Sequence, residues 1–529
     1  MSDGENRPLL RSDSSTSSNY QNESSLTFSS KWGLVLSCLG CVIGTGNIWR
    51  FPRIVANNSG DKGGLHFLLV WLLFLGLWSI PVILIEYSVG RYTRRAPVKS
   101  FRALRGPWSL WCGGWMVIVV SCIASYYAVV VGWCFYYVFH SISYHLPESL
   151  KASQDIWDHL QDRKWLPVLL LFLSLLFAGV SITRSVSSIE RVNIVIMPLL
   201  LLVLVVSFYW SLTLKYASFG ITYLFTPDWA ELGTLRLWVD AASQNAWDTG
   251  AGSGLFLTYA TYMSRRNSVV KLGILLPLCN NLVSLVSALT LYSTVFSTKM
   301  REGANKTEIA RLLREDGYAN TGLTFLWMPV LYEHLGTSGR VLSSLFFLCL
   351  SLGGITSLLA MIELPVRTLQ EMQVPRKYGL PVVLTLLFCC GLPSALHLEF
   401  LVSQDFVWAF GQVLAGAVTI SLPILYGVSK FREDLVNQFG LDDWRLPRIW
   451  DFIVKFLDPV IALALLASFV VYTVEHEDSA WYKFGRESLM LCFVEWLGVL
   501  LLLLLANCFW IFRRRSRRRI RRVSSIRDS

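Results

Sequence analysis

Apolar residues in this chain gather into long blocks separated by short polar stretches. Runs of about 20 apolar residues, the length a helix needs to cross a bilayer core, cover most of the sequence. They predict twelve spans, at about 33–57, 65–91, 112–144, 165–183, 189–214, 236–262, 268–297, 339–370, 379–397, 402–428, 447–474 and 488–512. The expected fold class is all-α, a polytopic membrane protein with one domain over 31–512. Residues 1–30 are polar and Ser-rich. They read as a disordered cytoplasmic tail without the basic-then-apolar order of a signal peptide.

Two spans carry residues that a plain lipid-facing helix does not. The first contains Gly40-Cys41-Val42-Ile43-Gly44-Thr45-Gly46-Asn47-Ile48-Trp49-Arg50-Phe51-Pro52, with three glycines within seven residues, then an amide and a full charge. Glycines alone would only let helices approach closely. Asn47 and Arg50 on the same segment point to a site, because loosened backbone at membrane depth has to line a cavity and an ionisable residue inside a span is functional by default. The sixth span repeats the anomaly from Trp238 to Gly254, where Gly250, Gly252 and Gly254 alternate with small residues straight after Asp248. Paired interruptions five spans apart predict a 5+5 inverted repeat with its binding site at mid-membrane. The repeats would be 33–214 and 236–428, with 447–474 and 488–512 as extra spans.

Composition sharpens this picture. The 529 residues are 53% hydrophobic and only 16% charged, against about 25% charged in soluble domains, and mean hydropathy is +0.48. Basic residues fill the loops after spans two (Arg91, Arg94, Arg95, Lys99), six and eight, and nine arginines lie between Arg513 and Arg527. The opposite loops are acidic or mixed, so both termini are expected in the cytoplasm. Residues 513–529 read as a basic tail against anionic membrane lipid. All eleven cysteines fall in or beside apolar runs, which disfavours a disulfide-stapled outer domain. The long outer loop, 298–338, holds the sequon Asn305-Lys306-Thr307, so Asn305 is a candidate glycan site on a glycoprotein. The tail sequence Glu5-Asn6-Arg7-Pro8-Leu9-Leu10 is similar to an acidic dileucine sorting signal. Glu5, Leu9 and Leu10 would be read by clathrin adaptors, which favours lysosome or late endosome over plasma membrane. No nucleophile–base set or metal cluster suggests an enzyme, and nothing suggests nucleic-acid binding.

The stretch from Gly44 to Pro52 resembles the first-span signature of the neurotransmitter:sodium symporter family. The likeness extends through Ile80-Pro81, Glu86, Gly90-Arg91-Tyr92, Tyr126-Tyr127, Thr226-Pro227-Asp228, Gln244, Asn280 with Ser284, Thr356-Ser357 and Leu446-Pro447-Arg448, in the family's order. It implies the leucine-transporter fold, with spans one and six broken. It also implies a sodium-coupled symporter working by alternating access. Sodium prefers hard oxygen ligands, and unwound backbone offers carbonyls. By resemblance, one sodium site uses the Val42 carbonyl, Asn47, Asn280 and Asp248. A second uses the carbonyls of Gly40, Ile43 and Gly353 with the hydroxyls of Thr356 and Ser357, although such hydroxyls can also bond back to their own helix.

Gly44 decides the expected substrate. Amine carriers of the family place an aspartate here, whereas amino-acid carriers place glycine, leaving room for a carboxylate against sodium and the half-helix N-terminus. The resemblance then implies a small amino acid with a neutral side chain, held by Gly44, Gly46, Ile123, Tyr127, Trp247, Gly250, Ser253, Ala360 and Met361. Arg50 and Asp405 would form the outer gate. A monoamine or osmolyte symporter is the alternative that Gly44 disfavours. Another is a non-transporting member acting in sensing or trafficking, against which the intact sodium ligands argue.

Departures from the family pattern carry the rest. Chloride-dependent members hold chloride among a span-two tyrosine, Gln244, a serine at position 248, Asn280 and Ser284. Here the tyrosine position is Trp71 and the serine position is Asp248. The Asp248 carboxylate would supply the charge that chloride brings, so chloride is not expected to be required. Two other readings stay open: Asp248 takes a proton and couples transport to pH, or it ligates sodium permanently. At the inner gate, relatives carry an arginine and a tryptophan where this chain has Ser25 and Phe28, although Glu371 matches their acidic partner. Lys31 is one substitute.

Overall fold

The computed structural model describes residues 27–60, 62–314, 323–476, 481–485 and 487–527, and the sorting-signal residues Glu5, Leu9 and Leu10 and the gate position Ser25 lie outside them. Among the described residues every regular element is helical, and each of the twelve expected spans coincides with a helix or a helix pair. Among the described residues nine helices are long and apolar enough to cross a membrane unbroken. Two helix pairs pass the same test of length and composition together but are bent: Lys31–Val42 with Gly46–Asn57 at 52°, and Leu150–Asp162 with Trp165–Ser181 at 78°. The second pair is an amphipathic outer helix running into span four. The last helix, Leu489–Arg527, continues beyond the expected end of its span, because the arginine-rich tail contains no glycine or proline to stop it.

Span one breaks where the glycines fall. Ile43 leaves helical geometry with ψ 102° after Val42, and the chain resumes as one widened turn over Gly46–Arg50 before Phe51–Asn57, with Pro52 in the first turn where it needs no donor. Span six stops at Thr249 and restarts at Leu255. Between them Gly250, Gly252 and Gly254 all adopt positive φ, at 66°, 89° and 85°. Gly252 is the most constrained, since a Cβ there would lie 2.5 Å from the Cα of Gly416 on span ten.

The two broken spans sit among helices that are themselves buried. Spans three and eight share the most extensive helix–helix contact, and 72% and 78% of their most apolar stretches are inside the protein. The last span has only 11% buried and presents Leu501, Leu502, Leu505 and Phe509 outward, as a lipid-facing helix should. No disulfide links the cysteines among the described residues.

Replacing Gly252 by alanine combines a left-handed residue, worth about 1–2 kcal/mol, with backbone contact. Gly303→Ala, at φ 93° with open space around it, carries the backbone term alone. Thermal unfolding of the two variants is expected to show the larger loss for Gly252→Ala; equal loss would contradict the close approach.

Candidate functional site

The break in span one exposes N–H and C=O groups that the neighbouring helices take up. Asn47 turns back so that its Oδ1 accepts the Gly44 N–H at 2.8 Å, and its Nδ2 donates to Asn280 Oδ1 and Ser284 Oγ, both at 2.8 Å. Ser284 in turn donates to Asp248 Oδ2 at 2.7 Å. Spans one, six and seven thus meet in one chain of polar contacts. The other carboxylate oxygen, Asp248 Oδ1, is buried without a protein partner, as are both amide atoms of Gln244 and the Trp71 Nε1. Buried polar atoms are almost always satisfied, so the free oxygen of Asp248, a residue that lines a cavity, is open to a partner other than a side chain. Asp248, with Asn47 and Asn280, offers hard oxygens of the kind sodium takes, and the set fits a first sodium site.

A second cluster forms where span eight passes the same break. Thr356 Oγ1 lies 3.0 Å from Gly353 O and 3.5 Å from Ile43 O. The first distance is the back-bond to its own helix. The second crosses to span one, and back-bonding alone does not account for it. A Cβ on Gly40 would meet Thr356 Cβ at 3.1 Å, so Gly40, Ile43, Gly353 and Thr356 converge. A Cβ on Gly44 would lie 2.6 Å from Ser357 Oγ and 3.1 Å from the Tyr127 hydroxyl. Gly44 therefore cannot grow a side chain without displacing both hydroxyls. This oxygen-only set fits a second sodium ion.

Between the clusters lies a cavity of about 60 Å³. Of the expected substrate residues, Gly44, Gly46, Ile123, Tyr127, Trp247, Gly250, Ser253 and Met361 line it. Ala360 is buried in span eight but is not on the wall, a correction that follows from the helix turning about 100° per residue between Ala360 and Met361. Val120 and Gln412 also line it and were not anticipated. Val120 lies one helical turn before Ile123, a spacing that identifies it once Ile123 is known. Tyr127 accepts the Thr45 N–H at 3.3 Å and meets Thr45 Oγ1 at 3.1 Å.

The outer side differs from the expected gate. Arg50 does not pair with Asp405 in this conformation. Its guanidinium lies over the Trp247 ring, 4.9 Å from the centroid, while Asp405 accepts the Tyr126 hydroxyl at 3.0 Å. At the opposite end of the bundle Lys31 is exposed. Phe28 packs edge-on against Tyr259 and Tyr262. Glu190 on span five accepts four hydrogen bonds of 2.8–3.0 Å from the N–H and hydroxyl groups of Ser29 and Ser30. The fully buried Glu363 pairs with Arg376 at 2.6 Å and accepts the Tyr262 hydroxyl, also at 2.6 Å. Glu371 accepts the Ala96 N–H at 2.6 Å. Among the outer-loop residues, Asn305 is exposed and its Oδ1 caps the helix Lys306–Arg314 by accepting the Glu308 N–H at 2.9 Å.

Glu86 was noted above only as part of a resemblance, yet it holds the second break together. Its Oε1 accepts the N–H groups of Gly252 and Gly254 at 2.7 and 3.1 Å, and its Oε2 accepts that of Leu257 at 3.2 Å. A carboxylate from span two thus caps the restarting half-helix of span six, satisfying donors that have no helical partner.

The model of the sodium:neurotransmitter symporter family matches residues 26–161 and 148–515. An uncharacterized sodium-dependent transporter of Methanocaldococcus jannaschii is 27% identical over 83% of this chain and 89% of its own length. A sodium- and chloride-dependent GABA transporter of Drosophila melanogaster is 24% identical over 78% of this chain and 48% of its own. Among solved structures, MhsT in complex with L-phenylalanine superposes with a TM-score of 0.71 at 25% identity, covering 84% of this chain and 99% of that one.

Glu86→Gln replaces one acceptor oxygen by an N–H₂ facing backbone donors. Leaving a buried donor unmet costs about 1–3 kcal/mol, so a lower melting temperature and reduced uptake are expected; wild-type values for both would contradict the capping role.

Proposed function

The chain belongs to the sodium:neurotransmitter symporter family, and we propose that it carries a small neutral amino acid together with sodium, without a requirement for chloride. Relatives and the structural neighbour are sodium-dependent transporters and a protein crystallised with an amino acid, and the fold is that of the neighbour. The observation that carries the finer reading is Asp248. It is buried, holds Ser284 through one oxygen, and leaves the other without a protein partner, like the Gln244 amide and the Trp71 ring N–H. A chloride ion about 4 Å from this carboxylate would be repelled by about 4 kcal/mol at an effective dielectric of 20. The fixed carboxylate balances the sodium charge in place of a mobile anion.

The substrate class rests on Gly44 and the cavity. Ser357 and Tyr127 stand where an aspartate side chain would have to start, leaving no anchor for an amine-only ligand. The substrate's carboxylate would instead meet the first sodium ion and the Tyr127 hydroxyl. The walls of Ile123, Val120, Met361 and Trp247 are neutral, which suits a neutral side chain. Bound sodium supplies positive charge to the carboxylate. Asn47, Asp248 and Thr356 position that charge, and Trp247 with Arg50 covers the ligand. Closure by an Arg50–Asp405 pair belongs to a further step of the cycle, in which Arg50 leaves the Trp247 ring.

Uptake of neutral amino acids by wild-type protein is expected to be unchanged when chloride is replaced by gluconate. Asp248→Ser restores the residue that accompanies chloride in relatives, and its uptake should fall about tenfold or more in gluconate relative to chloride. Loss of wild-type uptake in gluconate would overturn chloride independence.

We place the protein in lysosomes or late endosomes with both termini in the cytosol, on the strength of Glu5, Leu9 and Leu10. Substituting Leu9 and Leu10 by alanine should move a tagged protein to the plasma membrane. An unchanged distribution would remove the signal from the account.

A further inference from the structure

Asn193 lies outside both expected sodium sets, yet its side chain reaches one of them. It sits on span five, Val186–Thr213, and is fully buried. Its Nδ2 donates to the Ile189 carbonyl of its own helix at 2.9 Å, while Oδ1 has no hydrogen-bond partner. That oxygen lies 2.2 Å from the point a Cβ on Gly40 would occupy, and Thr356 Cβ is 3.1 Å from the same point. The amide orientation follows from chemistry: flipping it would set Oδ1 against the Ile189 carbonyl, acceptor against acceptor. An amide oxygen with unused lone pairs is therefore held beside Gly40 and Thr356.

A buried amide with an idle acceptor costs about 1–3 kcal/mol, and a valine or leucine would fill a purely structural position without that cost. What distinguishes the place is that its neighbours Gly40 and Thr356 belong to the set of Gly40, Ile43 and Gly353 carbonyls and Thr356 hydroxyl, an oxygen-rich set suited to a hard cation. We propose that Asn193 Oδ1 is an additional ligand of the sodium ion bound between spans one and eight. Span five then becomes a third wall of that site, and sodium occupancy is tied to the helix that also carries Glu190 and its grip on Ser29 and Ser30. This inference rests on the sodium-symporter reading above.

Sodium alone is the probe. The melting temperature of purified full-length protein is titrated with sodium chloride against choline chloride at constant ionic strength, without substrate, and binding of radioactive sodium is measured in parallel. A wild-type protein with no sodium-dependent stabilisation would sink the sodium reading itself. Given a wild-type response, Asn193→Ala should raise the half-saturating sodium concentration about 10-fold or more, the scale on which losing a partner weakens a metal site. Asn193→Asp keeps an oxygen and adds charge, so it should bind sodium at least as tightly as wild type, and it carries the test if the alanine variant does not fold. Wild-type sodium affinity in Asn193→Ala, or weakened affinity in Asn193→Asp, would overturn the proposal while leaving the symporter reading intact.

Discussion

Unwound backbone at membrane depth has no water to bond to, so every interrupted turn of spans one and six must find its partners inside the protein. This constraint organises the rest. Glu86 reaches from span two to cap the restarting half of span six. Asn47 folds back on Gly44 and ties span one to span seven. What these contacts leave unmet is the site: a free oxygen on Asp248 and an idle amide at Gln244. The breaks thus create a demand that side chains meet only in part, and the remainder fits ions and a substrate carboxylate.

The two sodium sets share the break in span one but not its other walls. One is closed by spans six and seven through Asp248, Asn280 and Ser284, the other by span eight through Gly353 and Thr356. Gly44 lies between them, flanked by Ser357 and Tyr127, so in the proposed function substrate and both ions would meet on a few residues of backbone. In that proposal coupling follows from proximity, because filling one set would order the backbone that the other uses. The inner closure is built from different chemistry. A buried Glu363–Arg376 pair ties span eight to span nine, and the Glu190 grip on Ser29 and Ser30 ties span five to the start of span one.

Much of this was legible in the sequence, for physical reasons. Glycine clusters in apolar runs mark unwinding because few other residues adopt φ near +89° against a neighbouring backbone, and Asp248 and Asn47 stand out because lipid tolerates neither without a purpose. Other parts were not legible. Glu86 reads simply as one charge in an apolar span until the donors of Gly252, Gly254 and Leu257 are seen around it. Nothing local to Val120, Gln412 or Asn193 says which helix face turns inward, since spans that are apolar all round lack a polar face to fix their rotation. Arg50 and Asp405 were expected as a pair, yet an aromatic ring and a hydroxyl compete for them in this conformation. The inner closure escaped because its partners lie far apart in sequence.

The central claim is that the two breaks form one site for sodium and a carboxylate-bearing substrate. Thermal unfolding of the purified full-length protein against a panel of amino acids and amines, each with and without sodium, tests it directly. A ligand that binds the folded state at about 100 times its Kd stabilises by about 2.7 kcal/mol. The account predicts stabilisation by one or more small neutral amino acids only when sodium is present. Stabilisation confined to amines, or independent of sodium, would contradict it.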